Sequence, residues 1–191
     1  GFTRHSSRST DHFPPTAVRI AEIYASVQGE GLLTGQPSAF VRASGCNLRC
    51  WFCDTPYASW KPEGDDLAPE EIVGRVLETD LSHVVLTGGE PMLFGEIIPL
   101  CDRLRELKVH ITIETAGTLY LPVKCDLMSI SPKLASSAPL ASQQIAPAWR
   151  HRHERDRQQL AVVRRLIDEY AHQLKFVIDA PRDVEEVEQY L

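Results

Sequence analysis

Three cysteines stand close together in Gly45-Cys46-Asn47-Leu48-Arg49-Cys50-Trp51-Phe52-Cys53-Asp54-Thr55, with three residues between Cys46 and Cys50 and two between Cys50 and Cys53. A tight loop can bring these sulfurs onto one small object, and such an object is a metal centre. Zinc usually takes four ligands in paired near neighbours, and no second cysteine pair or nearby histidine pair follows here. Three thiolates leave a site incomplete. An iron–sulfur cube held by three cysteines has one iron without a protein ligand, where a small molecule could bind and receive an electron.

Four further stretches offer chemistry. Gly88-Gly89-Glu90-Pro91 follows the apolar run His83–Thr87, and its glycines expose backbone groups while Glu90 adds an anion able to accept from an amino group. Ser131-Pro132-Lys133 offers a hydroxyl and a mobile cation just beyond another apolar run. Ser26-Val27-Gln28-Gly29-Glu30-Gly31 combines glycines with the planar hydrogen-bonding edges of Gln28 and Glu30, or is an ordinary turn. Asp54-Thr55 places a hydroxyl beside the cysteines, suited to Mg²⁺, although Asp54 could equally cap a turn with Thr55 merely packed.

The elements that must position these residues alternate. Strands are expected at 18–24, 38–43, 83–87, 111–115, 126–130 and 174–179, and helices at 69–78, 97–107, 158–173 and from Arg182. This alternation predicts an α/β fold with a parallel sheet and right-handed crossover helices, whose ligands gather at the C-terminal ends of the strands. Residues 1–16, rich in Ser, Arg and Thr, read as a flexible leader, and 17–191 as one core domain. The polar segment 135–155 ends in the basic run Arg150-His151-Arg152-His153, which reads as a solvated approach to a helix and receives no function.

A net charge of -6 argues against a general nucleic-acid surface, and a small-molecule substrate fits better. No run approaches the roughly 18 apolar residues of a membrane span, and no apolar signal core opens the chain. Five cysteines, three of them crowded, make a poor disulfide framework, and a cluster of this type needs reducing conditions, which predicts a cytoplasmic protein. Cys101 and Cys125 are expected to be buried free thiols.

The CxxxCxxC spacing with Phe52 before the last cysteine resembles the radical S-adenosylmethionine superfamily, and the GGEP stretch resembles its methionine-amine-binding motif. Together with Ser-Val-Gln-Gly-Glu-Gly, Ile-Glu-Thr-Ala-Gly-Thr and Ser-Pro-Lys, the stretch from about Tyr24 to Lys133 resembles the 7-carboxy-7-deazaguanine synthase family. The resemblance implies a homodimeric, trimmed partial (βα) barrel and conversion of 6-carboxy-5,6,7,8-tetrahydropterin to 7-carboxy-7-deazaguanine by radical ring contraction with loss of ammonia. Its implied cofactors are a 4Fe-4S cluster on Cys46, Cys50 and Cys53, S-adenosylmethionine, and Mg²⁺ at Thr55. Phe52, Cys53, Asp54, Gly88, Gly89, Glu90, Ser131, Pro132 and Lys133 fall on cofactor positions. Val27, Gln28, Gly29, Glu30, Arg42 and Thr87 fall on pterin positions, with Glu114 a further contact, and no side chain acts as nucleophile. A flavodoxin or ferredoxin is the expected reductant. Family members usually continue into a Gln-Pro segment and a C-terminal tail, so contacts beyond Leu191 are expected to be missing. A glycyl-radical activase would share the cysteines and GGEP, and a zinc-binding interaction module is the non-enzymatic alternative.

Overall fold

The computed structural model describes residues 17–191, so the leader expected at 1–16 lies outside the described residues. In chain order the elements are β1 (Val18–Val27), β2 (Pro37–Ala43), α1 (Pro56–Ser59), β3 (Asp65–Leu67), α2 (Pro69–Leu77), β4 (His83–Gly88), α3 (Ile97–Glu106), β5 (His110–Thr115), β6 (Leu127–Ile130), α4 (Pro147–Arg157), α5 (Leu160–Glu169), β7 (His172–Leu174) and α6 (Pro181–Val187). The strands form one sheet in the order β3-β1-β2-β4-β5-β6-β7. From β2 to β7 all neighbours are parallel, as expected, but β1 runs antiparallel to both β2 and β3. The expected parallel sheet is thus extended by an antiparallel edge: a short connection from β1 to β2 allows only a hairpin, since a parallel return needs a long crossover.

The helices that cover the sheet carry ordinary start and stop chemistry. Helix α2 opens with Pro69 and the acids Glu70 and Glu71, and buries Ile72, Val73 and Val76. Helix α3 buries Ile97, Leu100, Cys101 and Leu104 and ends with Arg103 and Arg105 in its last turn. These side chains join Val84, Leu86, Ile111, Ile113, Met128 and Ile130 in the main core. Alternation along the strands leaves the opposite sheet face to other residues. On it the register aligns Arg42 with Thr87 and Glu114 with Ser129 and Gln173. The Thr87 hydroxyl donates to Glu114 Oε2 at 2.7 Å, joining the two halves into one polar row across five strands.

Two expected elements are displaced. The strand expected at 174–179 is instead β7 at His172–Leu174, because Met128, Ser129 and Ile130 pair with His172, Gln173 and Leu174. Only the Lys175 amide, donating to Ile130 O at 2.8 Å, continues the ladder. The helix expected at 158–173 is α5 alone, and the basic run lies inside a separate helix, α4. Cys101 is buried as expected, whereas Cys125 is only partly so.

The ends of β2 and β4 meet through backbone. Gly89 N donates to Ala43 O at 3.0 Å, Glu90 N to Gly45 O at 2.8 Å, and Gly45 N to Ala58 O at 2.7 Å. A Cβ on Gly89 would collide with the carbonyl oxygens of Gly45 and Ala58, so only glycine permits this approach. Gly89→Ala is therefore expected to destabilise the chain by about 1–3 kcal/mol in urea unfolding. Gly95→Ala, where a new Cβ meets nothing within 4 Å, should change stability by less than about 0.5 kcal/mol; equal effects would contradict the steric account.

Candidate active site

The strand ends open onto a cavity of about 530 Å³. Cys46, Cys50 and Cys53 line one side of it, with Phe52, Asp54 and Thr55 from the same loop. Gly88, Gly89, Ser131 and Lys133 continue the wall, and Glu30, Arg42, Thr87 and Glu114 form another part. Most residues singled out in the sequence therefore converge on a single space, although they come from five separate stretches of chain.

The cysteine environment is the strongest indication of what the space holds. Burial pushes the Cys46 thiol up to about 12 and the Cys50 thiol up to about 11. Left alone these are neutral thiols, and only a nearby positive centre such as a metal makes thiolates of them. Among the described residues no three His, Cys, Asp or Glu side chains converge as a set for a single ion, while the three sulfurs share the wall of a wider cavity. Burial lowers Lys133 despite the opposing influence of Cys50, Glu90 and Cys46. Its Nζ donates to Ser131 O at 2.8 Å and Ser131 Oγ at 2.7 Å, which holds the cation beside the thiols. Cys53 Sγ lies 3.0 Å from Ser59 Oγ and 3.8 Å from Thr55 Oγ1. This donor set, three thiols with a cation held against them, fits an anionic iron–sulfur cluster.

Two residues expected to contact the cofactor stand apart from the cavity wall. Glu90 does not line the cavity: it is fully buried, and its carboxylate accepts from Met92 N at 3.1 Å, Thr115 Oγ1 at 2.8 Å and Ala116 N at 2.9 Å. Burial raises its pKa against the pull of these three bonds. Glu90 thus ties the Gly88-Gly89 turn to the end of β5, and the cavity face of that turn is left to backbone. Pro132 is buried and likewise absent from the wall, because alternation along the chain turns Ser131 and Lys133 inward and Pro132 away.

Three residues expected to contact the substrate also stand apart from the wall. Val27, Gln28 and Gly29 do not face the cavity. Gln28 forms one more rung of the β1–β2 hairpin, with its N donating to Gln36 O at 3.0 Å and its Nε2 to Ser38 Oγ at 3.0 Å. Val27 is more than half exposed, and Gly29 sits in the open turn. Of this stretch, Glu30 lines the cavity with a side chain that stays largely exposed.

The sequence reading missed several wall residues, of which Phe40, Thr115 and Lys175 matter most. Phe40 shares a strand face with Arg42 at period two, a signal that was present. Lys175 Nζ lies 2.6 Å from Glu30 Oε1 and 3.2 Å from Glu114 Oε1, which joins the hairpin turn to the polar row. Burial works against its charge, but Glu114 and Glu30 outweigh burial and raise its pKa. Arg42 Nε donates to Glu22 Oε1 at 2.7 Å and its NH2 group to Tyr24 OH at 3.0 Å. Tyr24 in turn stacks on Phe40, with centroids 5.3 Å apart. The cavity thus has a thiol end and a charged, hydrogen-bonding end.

Comparison with known proteins shows the family. A family model described as Radical SAM superfamily matches residues 40–179. The 7-carboxy-7-deazaguanine synthase of Rhodopirellula baltica is 46% identical over 175 residues, covering 91% of this chain and 67% of the relative. That of Halobacterium salinarum is 46% identical over 178 residues, covering 92% and 69%. In fold, the chain is similar to the crystal structure of QueE from Escherichia coli, with a TM-score of 0.65 at 22% identity over 95% of this chain and 81% of that one. With its cysteine loop, glycine turn and polar row brought to one cavity, the chain belongs to the 7-carboxy-7-deazaguanine synthase family within the radical S-adenosylmethionine superfamily.

Proposed function

We propose that this chain converts 6-carboxy-5,6,7,8-tetrahydropterin to 7-carboxy-7-deazaguanine, with ring contraction and loss of ammonia, as a carbon–nitrogen lyase of 7-deazapurine biosynthesis. The single observation that carries the reading is that a three-thiol wall and an Arg42, Thr87 and Glu114 wall face one cavity of about 530 Å³. That volume is of the size that holds one cofactor and one small substrate together. When bound, the cluster and S-adenosylmethionine supply one-electron cleavage chemistry and a hydrogen-atom acceptor. Everything else falls to the chain's own groups.

In this reading Cys46, Cys50 and Cys53 hold the 4Fe-4S cluster. Phe52, Asp54, the backbone of Gly88 and Gly89, Ser131 and Lys133 hold S-adenosylmethionine. Arg42 has two of its donors fixed by Glu22 and Tyr24, and its remaining N–H groups are the natural partner of the pterin carboxylate. Thr87, Glu114 and Glu30 offer acceptors to the donor edge of the pterin ring, with Lys175 held between the two carboxylates until substrate enters. A wall of this kind fixes the reacting carbon rather than supplying a nucleophile. Mg²⁺ belongs at Thr55, whose hydroxyl lies 3.3 Å from Asp54 Oδ1. The ion would take its other oxygens from substrate and water.

The remaining parts of the proposal rest on family membership. They are a homodimer, a reductant of flavodoxin or ferredoxin type, a cytoplasmic location, and residues 17–191 working as one core domain. Among the described residues no helix is long and apolar enough to cross a membrane. A glycyl-radical activase would leave the polar row Arg42, Thr87 and Glu114 unexplained, and a zinc module would leave the whole cavity so.

Anaerobic reconstitution followed by reduction should yield 7-carboxy-7-deazaguanine, identified by mass, only when the carboxytetrahydropterin and S-adenosylmethionine are both supplied. Cys50→Ala should lose cluster and product together, whereas Thr55→Ala should keep the cluster's visible absorbance and turn over about tenfold more slowly or worse. Product formed by Cys50→Ala at the parent rate would refute the assignment. Arg42→Lys keeps the charge but loses the planar fork, and KM for the pterin should rise about tenfold with little change in kcat. A fall in kcat at unchanged KM would place Arg42 elsewhere in the mechanism.

A further inference from the structure

Segment 135–157 takes no part in the cavity wall, yet it grips the cysteine loop from behind. Trp51 N donates to Ser137 O at 3.2 Å and Trp51 Nε1 to Ser136 O at 2.8 Å, and Gln143 Nε2 donates to Trp51 O at 3.3 Å. The Arg49 guanidinium lies over the Trp149 ring at 3.8 Å from its centroid. At the centre is His153, the fourth residue of the basic run and fully buried. Its Nδ1 lies 3.0 Å from Arg49 N, and its Nε2 lies 3.0 Å from Ser137 Oγ.

The chemistry of the partners fixes the tautomer. A backbone N–H can only donate, so Nδ1 must carry the lone pair and the neutral ring holds its proton on Nε2. Nε2–H then donates to Ser137 Oγ, which leaves the serine hydroxyl proton free to point onward. Its acceptor is Leu134 O at 2.6 Å. A chain of hydrogen bonds therefore runs from the Arg49 amide through an imidazole and a hydroxyl to Leu134 O, while the Trp51 amide is held by Ser137 O, so the residues on both sides of Cys50 are fixed by the same segment.

We propose that His153 is a positioning residue of the metal centre, holding the Arg49 amide and the Ser137 hydroxyl so that Cys50 is presented to the cluster in one orientation. Groups that orient metal ligands from behind set how tightly the metal is held. The proposal rests on the iron–sulfur reading where it concerns the cluster, but the grip on the loop belongs to the chain itself and is measurable without metal.

The test uses His153→Asn, His153→Gln and Ser137→Ala in the 191-residue chain. The Asn amide oxygen lies near the position of Nδ1 and can accept from Arg49, whereas the longer Gln places its polar end near Nε2 and leaves Arg49 unpartnered. In cluster-free protein, hydrogen exchange at the Arg49 amide should be about tenfold faster in His153→Gln than in the parent, and close to the parent rate in His153→Asn. After anaerobic reconstitution, loss of iron to a chelator should be about tenfold faster or more in His153→Gln and Ser137→Ala. Parent-like Arg49 exchange in His153→Gln, or parent-like iron loss in both variants, would overturn the proposal. Should His153→Gln fail to fold, His153→Asn and Ser137→Ala carry the same test: protected Arg49 in the first and faster iron loss in the second support it, and the opposite results overturn it. A parent chain that takes up no iron would instead defeat the functional reading, and the exchange measurement would still decide the role of His153.

Discussion

Burial of thiols in a place where they cannot ionise unaided is the constraint on which the rest of the molecule depends. Cys46 and Cys50 sit where loss of solvent pushes them up to about 12 and about 11. A fold gains little from three such groups at one cavity wall unless a positive centre converts them to thiolates. The surroundings suit that conversion: Lys133 is held by Ser131, the Arg49 guanidinium donates to Cys46 O at 2.8 Å, and among the described residues neither cation has a carboxylate as its hydrogen-bonding partner. A cluster carrying net negative charge in the cavity would meet Lys133 on its wall.

The same constraint explains why backbone rather than side chains joins β2 to β4 at the cavity floor. The turn at Gly88-Gly89 must lie against Ala43 and Gly45 so that the cysteine loop leaves the sheet beside it, and any Cβ there would separate them. Glu90 then serves as an internal fastener, satisfying the amides of Met92 and Ala116 and the hydroxyl of Thr115. A buried carboxylate with three donors is stable where an unpaired one would be costly. Across the sheet, the row Arg42, Thr87, Glu114, Ser129 and Gln173 supplies polarity to a face that would otherwise be core. Two such ends, one for metal and one for a polar heterocycle, follow from one sheet register.

Legibility in the sequence followed the range of the interactions involved. Cys46, Cys50 and Cys53, the Gly-Gly turn and most strands were readable because their signals lie within a few residues. The fastening role of Glu90 was not readable because its partners come from β5, and nothing local announces them. The bond of the Gln28 amide to Ser38 across the hairpin was hidden in the same way. Strand β3 is three residues long, too short to show a period, and β7 was displaced because its partner strand, not its own composition, sets its limits. Helix α4 carries no apolar stripe. Its buried residues are His153 and Arg157, four apart on one face, so the one periodic signal it offered was polar. Arg157 is satisfied by Glu154 at 2.5 Å and Glu186 at 2.6 Å, which explains how a cation occupies a buried helical position.

The account stands on three protein thiolates sharing a four-iron cluster, with one iron left for S-adenosylmethionine. Mössbauer spectroscopy of the chain reconstituted with ⁵⁷Fe, recorded before and after adding S-adenosylmethionine, tests this directly. The account predicts four irons per chain, with the signal of one in four changing on addition while the other three stay as they were. A cluster of two irons, or four irons that ignore the cofactor, would contradict it.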